Sequence, residues 1–399
     1  SSAASDVYKR QAGIIERACK QAGQRVVILV DEYDKPMLQA IGNEELQRQF
    51  RNALKPFYGA LKTMDGCIKF AFLTGVTKFG KVSVFSDLNN LDDISMRKDY
   101  VELCGVSDRE LHDTLDAELH EFADVRGVTY DKLCAELKEC YDGYHFTHNS
   151  IGMYNPFSLL NAFKYKEFGS YWFETGTPTY LVSLLKKHHY DLERMAHEET
   201  DAQVLNSIDS ESTNPIPVIY QSGYLTIKGY DEEFGIYRLG FPNREVEEGF
   251  VRFMLPYYAN VNKVESPFEI QKFVCEVRSG DYDSFFRRLQ SFFADTTYEV
   301  IRDQELHYEN VLFIVFKLVG FYTKVEYHTS EGRIDLVLQT DKFIYIMEFK
   351  LNGSAEEALR QIKDKHYALP FATDGRKLFQ IGVNFSAETR NIEKWIVEA

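Results

Sequence analysis

The sequence predicts an α/β protein built from two or three domains. Three observations carry this expectation. The chain has 399 residues, more than one hydrophobic core usually spans. Near its start, the short β-branched run Arg25-Val-Val-Ile-Leu-Val30 leads through a helical stretch to a second apolar run at Ile68 to Thr74, the spacing of a β-α-β unit. Near its end, three strand patterns stand in succession at Thr323 to His328, Arg333 to Gln339 and Phe343 to Leu351. A helix from Ala355 to Tyr367 and a strand from Lys377 to Val383 follow them.

The elements between are read in order. Residues 14 to 23 are helix-like. The run ending at Val30 reads as a strand buried on both faces, as in a parallel sheet. Asp31-Glu-Tyr-Asp34 follows it, then helix to about Lys62. From Asp108 to Tyr141 the pattern is helical and acidic. Asn155-Pro-Phe opens another helix, by capping residue and first-turn proline. Ser222 to Lys228 and Gly235 to Gly240 form two strands joined by a short acidic turn, and a helix starts near Asn243. Helices followed by such a ribbon suggest a winged-helix-like module. A soft boundary falls at Asn262 to Pro267. Helices run from there to about Leu318, and a terminal helix is expected from about Ser386.

Composition narrows the function classes. No run approaches the ~18 apolar residues of a membrane span, and no basic start followed by an apolar block marks a signal peptide. The six cysteines form no C-x-x-C pair, so neither a zinc knuckle nor a redox motif is indicated. They read as buried free thiols of a reducing cytoplasm. The net charge of -15 speaks against broad nonspecific binding of nucleic acid. The charge is uneven, however. From Phe321 to Ala399 there are 11 basic and 12 acidic residues, a net of -1, which leaves -14 for the remainder.

The C-terminal strands carry a chemical pattern. In Phe343-Ile-Tyr-Ile-Met-Glu-Phe-Lys350, a period of two puts Ile344, Ile346, Glu348 and Lys350 on one face. Burying charge is costly unless it is paired or bound to metal. A turn at Thr340-Asp341-Lys342 folds this strand onto the preceding one, so that Asp335 can meet Glu348. Two carboxylates and a lysine suit phosphodiester hydrolysis. The acids hold Mg²⁺ or Mn²⁺ through hard oxygen ligands, the metal lowers the pKa of its water, and the lysine orients that water or stabilises developing charge. A buried Asp-Lys-Glu salt-bridge cluster would have the same spacing.

Asp335 followed by Glu348-Phe-Lys350 resembles the core motif of the PD-(D/E)XK nuclease superfamily. The longer series His307-Tyr-Glu-Asn310, Gly320-Phe-Tyr322, Glu326, Gly332-Arg-Ile-Asp335, Tyr345 to Lys350 and Glu357 to Tyr367 is similar to the nuclease domain appended to AAA-ATPase-like proteins of Bacteroides-type bacteria. The resemblance implies a restriction-endonuclease-like α/β domain with Asp335, Glu348 and Lys350 as its catalytic set. It also implies a further polar residue on the next helix, where Gln361, Lys365 and Tyr367 fit and Gln361 is the first candidate. An acid on the preceding helix is a further metal ligand in that superfamily; Glu309 is the candidate, with Glu305 one turn earlier competing.

Val26 to Glu32 has the form of a Walker B strand, in which the acid ending the strand holds Mg²⁺ and the next polarises the attacking water. Asp31 and Glu32 match those roles. Together with Phe72 to Lys78, Leu88 to Ser95, Tyr141 to Phe146, Tyr154 to Ser158 and Tyr171 to Pro178, this strand resembles the successive blocks of the AAA-ATPase-like family over residues 14 to 255. The resemblance implies a partial P-loop core that binds ATP in the full-length protein, with Thr74, Thr77 and Lys78 at a sensor position. Gly75-Val-Thr-Lys-Phe-Gly-Lys81 mimics a Walker A loop but has Val82 where Ser or Thr belongs, and it follows the Walker B strand instead of preceding it. The true loop is expected upstream. The first residues, SSAASDVYKRQ, do not read as structure and resemble translated adapter sequence.

The expected organisation is a non-native leader at 1–11, a partial AAA-like core at 12–100, a helical and winged-helix-like region at 101–262, and a nuclease-like domain at 263–399. The expected function is a Mg²⁺-dependent cytoplasmic nuclease coupled to an ATPase-like regulatory domain, with nucleic acid bound at the C-terminal domain and a protein partner or self-association open. The competing expectation is an ATP-dependent switch whose nuclease fold is non-catalytic and binds a partner.

Overall fold

A computed structural model describes the chain except residues 1, 41–42, 78–90, 175–178, 207–213, 260, 295–300, 331–332 and 352. Two compact units emerge. The first comprises Ser1–His188 and Met195–Arg244, the second His189–Arg194 and Glu245–Ala399. The soft boundary at Asn262 to Pro267 therefore lies inside the second unit.

In the first unit, α1 (Ser2–Ala22) leads into β1 (Val26–Val30). The first residues, expected to lack structure, are helical. They open α1, about half of which is Ala, Lys, Arg and Gln, residues that favour helix. Then come α2 (Lys35–Gln39), α3 (Glu44–Thr63) and β2 (Ile68–Leu73), with β1 and β2 pairing in parallel, Val30 opposite Leu73. The expectation that β1 is buried on both faces fails. Val26, Ile28 and Val30 pack on a core formed by Ile15 of α1 and Tyr58 and Leu61 of α3. Val27 and Leu29, on the other face, are 55% and 72% exposed. The packing helices share one face of this two-stranded sheet.

The acidic helical stretch resolves into β3 (Val106–Ser107), α4 (Asp108–Thr114), α5 (Asp116–Arg126) and α6 (Tyr130–Tyr141). Its helix starts are written locally. Ser107 and Glu110 close a capping box on α4, and Thr129 caps α6. After β4 (Met153–Tyr154), Asn155 accepts from the Phe157 and Ser158 amides and Pro156 opens α7 (Pro156–Tyr165), as the sequence predicts. Leu119, Phe122, Leu137, Leu159 and neighbours form the core of this bundle. The block Tyr141 to Phe146 is explained by packing: a Cβ on Gly143 would stand 2.2 Å from Pro242 O.

The first unit closes with α8 (Tyr171–Glu174), α9 (Thr179–Lys187), β5 (Glu198–Asp201), α10 (Ala202–Asn206), α11 (Ile216–Gln221), β6 (Thr226–Asp231) and β7 (Ile236–Gly240). The ribbon β6–β7 forms as expected. Asp231 accepts from the Glu233 and Phe234 amides at its turn, and Gly235 supplies φ +68°. Strand β5 adds a third member on β7 that the sequence did not reveal.

The second unit begins with α12 (Arg244–Tyr258), α13 (Ser266–Ser279), α14 (Tyr282–Phe293) and α15 (Ile301–Gly320). The segment His189–Arg194 belongs here. Asn310, 2% exposed, donates to Tyr190 O and accepts from the Leu192 amide at 3.1 and 2.8 Å. The sheet follows: β8 (Lys324–Ser330), β9 (Arg333–Gln339), β10 (Phe343–Leu351), then α16 (Ala355–Asp364), β11 (Lys377–Ser386) and β12 (Asn391–Glu398), in the order β12-β11-β10-β9-β8. Only β10 and β11 run parallel. The expected terminal helix from Ser386 is instead the edge strand β12. Ile392, Ile396, Val397 and Trp395 favour a strand, and tertiary contacts hold it: Trp395 stacks on Phe286 at 5.3 Å and donates to Asp283 at 2.8 Å.

The sheet has two different faces. Tyr345 and Phe349 meet the α13–α15 side, where Tyr345 donates to Val277 O at 2.7 Å and Phe349 packs on Phe286 and Phe316. Helix α16 takes the opposite face. It lies so close to β11 that a Cβ on Gly382 would stand 2.1 Å from Ala355 O and 2.5 Å from Leu359 N. None of the six cysteines is buried, against expectation; Cys104 and Cys275 are exposed and all six are free. Among the described residues, no helix is long and apolar enough to cross a membrane.

Candidate active site

The hairpin β9–β10 turns at Thr340, whose amide donates to Phe343 O at 2.8 Å. This sets the register, and the register sets the site. Glu348 stands directly opposite Asp335, and Lys350 opposite Arg333. Residues opposed in this way carry Cβ atoms about 4.5–5.5 Å apart on one face. Gly382 lies opposite Glu348 on the other side, so this is the face that α16 covers. Glu348 is 0% exposed, while Asp335 and Lys350 are half-buried. The chain folds back after β10, and a Cβ on Gly353 would sit 3.1 Å from the Lys350 side chain.

Two facing carboxylates repel one another, and a cation held between them offsets that repulsion. Their hard oxygens suit Mg²⁺ or Mn²⁺. The residues present therefore fit such an ion through Asp335 and Glu348. They do not form a larger cage: among the described residues no three His, Cys, Asp or Glu side chains converge. Glu309 stays apart from the pair. Its carboxyl is pushed up to about 7 by burial, and Glu305, Asp191 and Glu193 add to the shift. Its backbone carbonyl accepts from the Tyr327 hydroxyl at 3.5 Å. Tyr327 pairs with Leu336, one residue out of phase with Asp335, and so belongs to the opposite face.

Gln361 lies on α16, half-buried. Tyr367, another of the three candidates named for this place, donates its hydroxyl to Asp335 Oδ2 at 3.1 Å.

The second constellation stands at the ends of β1 and β2. Asp31 is exposed, and its Oδ1 accepts from the Thr74 hydroxyl at 2.6 Å and the Glu32 amide at 3.0 Å. Glu32 has φ +52° and pairs with Lys35 at 2.6 Å. Thr77 is 1% exposed, and its hydroxyl and amide both donate to Asp34 Oδ2. It anchors a loop. Sequence reasoning missed Asp34, the last acid of Asp31-Glu-Tyr-Asp34, which is 1% exposed and gathers that loop. Gly75 is required by the same packing, since a Cβ there would stand 2.5 Å from Asp34 Oδ1. Lys78, and with it positions 78–81 of the Walker A mimic, lies outside the described residues.

A mixed α/β chain with this hairpin, helix and strand defines a class, and comparison with known proteins agrees. Residues 303–395 match the PD-(D/E)XK nuclease superfamily and residues 2–85 the predicted AAA-ATPase family. An uncharacterized protein encoded in the vnfD 5' region of Azotobacter chroococcum mcd 1 is 34% identical over 400 residues, covering 97% of this chain and 74% of its own length. The chain belongs to the family of that relative, joining an AAA-ATPase-like domain to a PD-(D/E)XK nuclease superfamily domain. No solved structure matches it.

Proposed function

We propose that the chain is a Mg²⁺- or Mn²⁺-dependent nuclease whose second unit cleaves phosphodiester bonds of DNA or RNA under the control of its ATPase-like region. The observation that supports it most is the register of Glu348 on Asp335 with Lys350 two residues further along the same face. Asp335 and Glu348 hold the cation, which when bound supplies an acidified water and offsets phosphate charge. Lys350 brings an ammonium toward that ion's side of the sheet and stabilises charge developing on the phosphate. Helix α16 shields this face from bulk water, and Gln361 is the candidate polar residue at its rim.

Asp31 with Thr74, and Glu32 beside them, fit the Mg²⁺- and water-directing ends of a Walker B strand, and residues 216–240, a helix followed by a ribbon, fit part of a winged-helix-like module. The 399 residues hold no Gly-rich loop ending in Lys-Ser or Lys-Thr, so ATP should bind this chain weakly.

The test compares Asp335→Ala, Glu348→Ala and Lys350→Ala. The two acid variants should lose both Mn²⁺ binding, read by calorimetry, and cleavage of labelled DNA or RNA. Lys350→Ala should keep most metal binding and lose about 10²–10³ in cleavage rate. If the three residues only bridge one another, all three variants should melt earlier, with no cation bound and no cleavage by wild type. That second reading, a non-catalytic fold that binds a partner, is favoured by the lack of a third converging ligand among the described residues.

A further inference from the structure

Helix α16 ends in a turn that is made without glycine. His366 has φ +55°, the left-handed region that residues with a Cβ enter only at a cost. Around it the Tyr367 amide donates to Ile362 O at 3.2 Å and the His366 amide to Lys363 O at 3.0 Å, the paired bonds of a Schellman cap. The turn ends the helix sharply and reverses the chain. Tyr367, the first residue past it, is half-buried and reaches Asp335 Oδ2, 32 positions earlier in sequence.

We propose that Tyr367 is a positioning residue for the Asp335 carboxylate, and that the left-handed turn at His366 is what puts it there. This rests on the reading of Asp335 and Glu348 as the cation-holding pair. An aspartate carboxylate rotates about its last bond, and each orientation offers an incoming cation a different oxygen. A hydroxyl bonded to Oδ2 fixes that rotation before the cation arrives, so less freedom is lost on binding. A tyrosine with a purely structural role would add to the stability of the fold and leave cation affinity alone.

The full chain is titrated with Mn²⁺ by calorimetry, with the melting temperature of each metal-free variant measured beside it. Tyr367→Phe should weaken Mn²⁺ binding about 10-fold, within the 10–100-fold span of such supporting residues, while its metal-free melting temperature barely moves. His366→Gly, which suits the turn, should keep wild-type affinity and melt higher. His366→Val, which disfavours the turn, should weaken Mn²⁺ binding as Tyr367→Phe does. If Tyr367→Phe and His366→Val bind Mn²⁺ as wild type does, the inference is overturned and the nuclease reading stands. Should wild type show no Mn²⁺ binding that Asp335→Ala removes, both are overturned.

Discussion

Single residues here divide between chemistry and architecture, and the two are easily confused. Asp34 and Glu348 are both deeply buried acids. Asp34 receives the Val76 amide and the amide and hydroxyl of Thr77, which makes it a loop anchor. Removing it leaves those donors buried without an acceptor, so Asp34→Ala should cost about 2–4 kcal/mol in urea denaturation, with Mn²⁺ binding at the second unit unchanged. Glu309 is distinguished by its titration. Burial and three neighbouring acids raise its carboxyl from the usual glutamate range to about 7. The folded state thus binds a proton there that the unfolded state releases earlier. Its contribution to stability is fully present at low pH, below the unfolded value, and declines as pH rises to about 7. Wild type should lose melting temperature between about pH 5 and pH 8 by more than Glu309→Gln does; equal losses in a pH series of thermal melts would refute this.

At the scale of elements, the candidate site depends on how α16 is seated. Ser354 and Glu357 close a capping box at its start, with bonds of 3.0 and 3.1 Å. Ser354→Ala should cost about 1 kcal/mol. Gly382 governs the seat itself, because any side chain there meets the helix backbone. Gly382→Ala should be the more damaging of the two, at about 1–3 kcal/mol for forced repacking. It should also weaken Mn²⁺ binding by shifting Tyr367 away from Asp335. Urea midpoints for the two variants, with calorimetry of each, check the order. Strands β9 and β10 were legible to the residue, because alternation and the Thr340 turn act within a few positions. The edge strand β12 was not, since its partner and its Trp395 contacts come from elsewhere in the chain.

Across the whole molecule, charge and chain path set further limits. A net of -15, with only -1 in the last 79 residues, leaves little room for a broad phosphate-neutralising surface. Binding of a labelled oligonucleotide, followed by fluorescence anisotropy from about 50 to about 200 mM salt, should show a shallow log-log slope, equivalent to a few contacts at about 0.7–0.9 each. A slope near -10, as for a strongly basic binder, would contradict this. The path of the chain is equally specific. It enters the second unit at His189–Arg194, returns to the first, and re-enters at Glu245. Asn310 clasps that six-residue visit, and Asn310→Ala should destabilise the second unit by about 1–3 kcal/mol, measured by chemical denaturation.

The sequence by itself determined the α/β class, the helix start at Asn155, the β6–β7 ribbon, and the identity of Asp335, Glu348 and Lys350 as one constellation. Those features depend on caps, turns and periodicity, which are properties of neighbouring residues. Tertiary structure alone decided which strand faces are covered. It left Val27 and Leu29 exposed, made residues 391–398 a strand, set Glu309 on the other side of the sheet from Asp335, and brought Tyr367 to that acid. In each case the partner lies tens of residues away. A local pattern states which way a side chain points along its own element; what it meets there is fixed by packing against segments the pattern does not contain.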